Sequence, residues 1–231
     1  MKALIYKEFK LAMHPICYLF IALFPLMILI PSYPYAVGFI YVLSCYPILF
    51  LGANKGQQSN DLLFSTLLPV RKKDIVLARI FTVIFMQVAF IVIMSLLYPL
   101  AYLFQTNTFD DKGVALINKP SGLGLYSYVL SLSIGIVGFA ISDLIFFPIY
   151  YKHGKSIVAS TLFTILGFVT FVLGLTVAVP LIIKETTGVD YLNQVPLWIQ
   201  FISLAGSIIV SFIIHIFVYK ISAKELEKVD L

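Results

Sequence analysis

The chain has 231 residues, 61% of them hydrophobic and 12% charged, with a formal net charge of +5; a soluble domain is about half apolar and about a quarter charged. With a mean hydropathy of +1.00, this composition excludes a water-soluble globular fold and makes the lipid bilayer the solvent. The basic residues flank long uncharged runs instead of gathering into a patch, which argues against nucleic acid as a partner.

Stretches without Asp, Glu, Lys or Arg cover 11–54, 80–109, 120–142, 156–183 and 191–219. A spanning helix needs about 20 mostly apolar residues at about 1.5 Å each. Residues 1–14 come first. There Ile5, Phe9 and Ala12 share one helical face while Lys7, Lys10 and His14 share another, the pattern of an interfacial connector helix or of a basic anchor. The first uncharged run accommodates two spans, about 15–30 and 35–53, separated by Pro31-Ser32-Tyr33-Pro34; Pro25 should kink the first of them. That run enters the second span with no small-residue cleavage signature, so no cleaved leader is expected.

Residues 54–74 form a cytosolic segment between the second and third spans. Ser59-Asn60-Asp61 offers helix-capping side chains, and Leu62-Leu63-Phe64 through Leu67-Leu68 make a short apolar helix that Pro69 ends before Arg71, Lys72 and Lys73. The remaining spans are expected at about 75–104, 123–151, 157–182 and 197–219. The third and fourth exceed the hydrocarbon thickness and should tilt or project beyond it. The expected fold is therefore an all-α integral membrane protein, one domain of six transmembrane helices.

Basic loops stay cytoplasmic. Lys2, Lys7, Lys10, Lys55, Arg71, Lys72, Lys73, Arg79, Lys152, Lys155, Lys220, Lys224 and Lys228 fall on one side, and only Lys112, Lys119 and Lys184 on the other. Both termini, the 54–74 segment and the 152–156 loop are thus expected in the cytosol.

Polar side chains at membrane depth are few, and Gln87, Asp143 and His215 are the pathway candidates. An ionised group at mid-bilayer costs about 2.5–3.5 kcal/mol on insertion scales, so such residues face the bundle or water. Asp143 and His215 lie at comparable shallow depth and either pair, line a path, or serve in helix packing. Ser127, Ser131 and Gly135 form a small-residue stripe suited to close helix contact.

No catalytic or metal-binding constellation is expected. Cys17 and Cys45 both sit inside apolar runs, and His14, His153 and His215 fall on different segments. Gly154-Lys155-Ser156 is not a phosphate-binding loop, because Ile149 stands where that loop needs its first glycine.

Leu62-Leu63-Phe64-Ser65-Thr66-Leu67-Leu68-Pro69-Val70, followed by Arg71-Lys72-Lys73-Asp74-Ile75, resembles the segment after the second helix of ABC-2 type permeases. Phe147-Pro148-Ile149-Tyr150-Tyr151-Lys152-His153-Gly154-Lys155 is similar to the segment closing helix four in a bacterial subfamily that includes exporters of amphipathic peptide toxins. Arg71 stands where that subfamily often has a small polar residue. The resemblance implies a permease in a bacterial cell membrane, paired with a second permease copy or a paralogue. It also implies a separate ABC ATPase chain that binds ATP and Mg, this chain holding no cofactor. The residues expected to meet that ATPase are Asp61, Leu63, Phe64, Leu67, Arg71, Lys72, Lys73, Lys152 and Lys155. Amphipathic or hydrophobic peptides are the expected cargo, with lipid-like molecules as the related class. The alternative is a motor-independent protein, either a secondary transporter or an immunity protein against membrane-active peptides. A coupled carrier usually displays more intramembrane carboxylates than Asp143 alone.

Overall fold

The computed structural model describes residues 2–12, 15–23, 25–26, 70–106, 128–153, 157–187 and 197–228. Everything regular among them is helical: α1 (Lys2–Lys7), a π-helical turn (Glu8–Ala12), α2 (Pro15–Leu23), α3 (Lys72–Thr106), α4 (Tyr128–His153), α5 (Ile157–Thr187) and α6 (Leu197–Lys228). Three of these helices, α3, α4 and α6, are long and apolar enough to cross a membrane, and Val158–Phe171 of α5 is a shorter apolar stretch. In hydrocarbon a backbone must satisfy its own hydrogen bonds, and the helix does so within one segment.

α3 to α6 lie over the expected third to sixth spans, with α4 starting five residues later than expected, at Tyr128, and α5 ending five residues later, at Thr187. α3 starts at Lys72, three residues before Ile75, because the Asp74 amide donates to the Arg71 carbonyl at 2.9 Å and closes a turn there. α6 continues nine residues past 219, to Lys228. The second span and residues 54–69 lie outside the described residues.

The N-terminal face is shifted from its expected position. Leu4 and Glu8 are its buried residues, Ile5 and Phe9 are half-buried, and Lys7, expected on the polar face, is half-buried too. Leu4 and Glu8 lie four residues apart and share one helical face, and Glu8 pairs inward with Arg79.

The core follows from side-chain size. Val76, Ile80, Val83 and Phe90 of α3, Phe139, Phe146, Phe147 and Tyr151 of α4, Phe168 of α5 and Val218 and Leu226 of α6 form one buried cluster. Near the C-terminal end of α4, Phe146 stacks on Tyr150 with centroids 5.7 Å apart, and Phe147 lies on Tyr151 at 6.3 Å. A second, smaller cluster of Cys17, Ile21 and Met86 joins α2 to α3.

Backbones approach most closely where glycine permits. A Cβ added at Gly138 would sit 2.6 Å from the Phe168 ring, and one at Gly167 would collide with Ile145. These two glycines set the α4–α5 contact; Ser127 of the expected small-residue stripe lies outside the described residues. α4 also packs extensively on α6, whereas among the described residues α3 meets α4 through long side chains rather than by close backbone approach. α3 thus stands between the N-terminal segment and α2 on one side and α4 to α6 on the other, and shares one core with α4, α5 and α6.

Candidate translocation site

Polar groups bridge α3 and α4 at two levels. Eight residues into α3, Arg79 is 5% exposed. Its Nε donates to Glu8 Oε2 at 2.9 Å and Nη2 to Oε1 at 3.3 Å, while Nη1 donates to the Tyr150 hydroxyl at 3.3 Å. One guanidinium therefore ties the N-terminal segment, α3 and α4 together. A two-pronged pair fixes angle as well as distance, which suits a joint that must hold two elements in register. Sequence reasoning missed Glu8. The available signal was a lone acid among the N-terminal lysines and a lone arginine one step before a long uncharged run.

About two helical turns further along α3 lies the second bridge. Gln87 Nε2 donates to both carboxylate oxygens of Asp143, at 3.2 and 3.0 Å, and His215 Nε2 lies 2.9 Å from Asp143 Oδ2. The three sequence-level pathway candidates come from α3, α4 and α6, and the fold brings all three together. Asp143 is wholly buried and Gln87 nearly so.

The hydrogen-bond geometry fixes the charge of this cluster. His215 Nδ1 sits 2.7 Å from the Ser211 backbone oxygen. A carbonyl only accepts, so Nδ1 carries a hydrogen. Across the other contact one proton is shared between Nε2 and Oδ2. Whichever atom holds it, the Asp143–His215 pair is neutral overall. Neutrality is what a polar cluster at this depth requires, since an unpaired charge there is costly.

Beside the cluster runs a groove of about 550 Å³ between α3 and α6, with α4 at its back. Its walls are apolar, including Ile84, Val88, Ile91, Phe139 and Ile216, and its polar lining comes from Gln87, Ser211, His215 and Tyr219. Val88, Phe212 and Ile216 are also exposed on the outer surface, so the groove opens sideways toward the surrounding medium.

At the start of α3 and the end of α4 the described coupling candidates are surface residues. Arg71, Lys73 and Lys152 are exposed and Lys72 is half-buried. Lys73 pairs with Glu227 at 3.3 Å, joining the start of α3 to the end of α6. Asp61, Leu63, Phe64, Leu67 and Lys155 lie outside the described residues. Among the described residues no group of three or more His, Cys, Asp or Glu side chains could hold a metal ion.

The chain was compared with known proteins against this geometry. The model of the ABC-2 family transporter proteins matches residues 3–221. Comparison with curated proteins finds no match, and comparison with solved structures finds none.

Proposed function

Because the chain belongs to the ABC-2 family of transporter proteins and is a membrane component of transport, we propose that it is the permease of an ATP-driven exporter of amphipathic or hydrophobic peptides. The observation that carries this reading is the neutral Gln87–Asp143–His215 bridge beside an apolar groove, where α3 meets α4 and α6. Helices that meet at such a polar cluster can tilt against one another if something outside pushes them. A site between moving helices is how alternating access works in transporters generally.

The push would come from a separate ABC ATPase chain binding ATP and Mg. It would dock on the 54–74 segment, on Arg71, Lys72 and Lys73, and on the loop bearing Lys152 and Lys155. Six spans with both termini cytosolic agree with the basic residues. A second permease copy or a paralogue would complete the pathway in a bacterial cell membrane. The groove carries no net charge, which suits cargo recognised by apolar surface. One observation favours the motor-independent alternative: a buried Asp–His pair is also what a proton-coupled carrier uses.

Affinity purification of the full chain from its native membrane in mild detergent separates the two. The exporter reading expects an ATP-binding chain in stoichiometric yield, lost when Arg71, Lys72 and Lys73 are changed together to alanine. Recovery of the permease alone, with export unaltered by that triple change, would overturn it.

A further inference from the structure

The α3–α6 groove is uncharged along its length, but one end of it has a basic lip. On α6, Phe212 and Ile216 line the groove and are exposed on its outer side. The same row continues at four-residue steps to Lys220 and Lys224, both exposed. On α3, Lys73 stands one turn before the lining residue Leu77. Two acids at this end are engaged, Glu227 by Lys73 at 3.3 Å and Glu225 by Lys228 at 2.6 Å. Lys220 and Lys224 form no ion pair among the described residues. The lip therefore carries surplus positive charge.

Length and access point to the same occupant. The lining runs from Leu77 to Val92 on α3, about 22 Å of helix at about 1.5 Å per residue. The hydrocarbon of one leaflet is about 15 Å deep, half of about 30 Å, so a whole acyl chain fits along the groove. Because Val88, Phe212 and Ile216 are exposed, the opening faces sideways into hydrocarbon. What enters by that route is a chain already dissolved in the bilayer. α3 also meets α6 far less extensively than α4 does, which leaves the space such a chain fills. Lysine stems lie along apolar surface while their ammonium groups reach for the membrane surface, where a lipid phosphate sits.

From this we infer that the α3–α6 groove binds one anionic phospholipid, its acyl chain along Ile80, Ile84, Val88 and Ile216 and its phosphate on Lys220 and Lys224. Basic groups between helices at a membrane surface are a recurring site for anionic head groups. A zwitterionic lipid offers the same chain, but its own ammonium competes with the lysines for the phosphate. An apolar peptide fills the groove and leaves the lysines unanswered. Nothing in the Gln87–Asp143–His215 cluster has to move for the lipid to bind. The binding is independent of the export reading; in an exporter, the lipid is the groove's occupant between cargoes.

The test uses the purified full chain in phosphatidylcholine nanodiscs, without ATPase or ATP. Two trace probes carry the same diazirine-bearing acyl chain, one on phosphatidylglycerol and one on phosphatidylcholine. The phosphatidylglycerol probe should label segments 84–92 and 208–219 roughly twentyfold more than its partner, about fivefold for each lysine. Lys220→Gln/Lys224→Gln should bring it down to the phosphatidylcholine level and leave the latter unchanged. Both lysines are exposed, so that variant is expected to fold. Lys2→Gln/Lys10→Gln removes the same charge elsewhere and should leave the ratio as it was. Equal labelling by the two probes, adducts only outside the groove, or a ratio that survives the loss of Lys220 and Lys224 would overturn the inference. So would a ratio that falls as far in the Lys2/Lys10 variant, which would mean general surface charge. A diazirine-bearing apolar peptide that labels these segments where neither lipid does would give the groove to a peptide instead. Recovery or loss of an ATPase leaves the labelling ratios as they are, so the two readings fail separately.

Discussion

Two buried clusters dominate at the scale of single residues, and they make different demands. Glu8 and Arg79 are almost wholly enclosed, so removing one partner strands a charge. Arg79→Leu is expected to lower stability by about 3–5 kcal/mol. The Glu8→Gln/Arg79→Leu double variant should lose less than the sum of the single changes, read as thermal unfolding in detergent. Additive losses would mean that the pair is not coupled. Tyr150→Phe removes only one neutral acceptor and should cost about 1 kcal/mol. The second cluster was partly legible in the sequence. Gln87, Asp143 and His215 stood out because polar residues in long apolar runs are costly and need partners. Their mutual contact was not legible, since residues 56 to 72 positions apart meet only through helix packing that no local pattern encodes. Glu8 was harder to see. It sits beside lysines in a terminal stretch, 71 residues from the Arg79 with which it pairs.

Helices were the most legible level. Charge-free runs mark apolar segments directly, and α3 to α6 lie over the third to sixth expected spans with ends displaced by up to nine residues. α6 runs on through Ala223, Lys224 and Leu226 because Ser222, Ala223 and Leu226 still pack inward while Lys224 is exposed. Hydropathy detects lipid, not helix length. The glycine contact was missed for another reason: Gly138 and Gly167 belong to different helices, and a stripe search looks along one. Gly138→Leu places new bulk against the Phe168 ring and should cost about 1–3 kcal/mol, whereas Gly174→Leu, with open space around it, should change stability little. Thermal unfolding of the two variants checks this, and equal losses would refute the contact. At the cytosolic end, breaking the exposed Lys73–Glu227 pair should shift stability by less than about 1 kcal/mol.

Across the whole molecule, α3 joins the N-terminal segment to α4–α6 through a shared apolar core and a few polar ties. α6 has the least enclosed of the three long apolar windows, 11% buried. So much apolar surface on one long helix must meet lipid or another transmembrane chain. The chain's energy source is the larger question, because the account makes it a moving part driven from outside. A photocrosslinking amino acid at Phe64 or Lys72, in the full chain in its native membrane, addresses this directly. The account predicts adducts with an ATP-binding chain at both positions, on the cytosolic face. Adducts only with lipid or with the chain itself, or reaction of position 64 with a probe confined outside the cell, would contradict it.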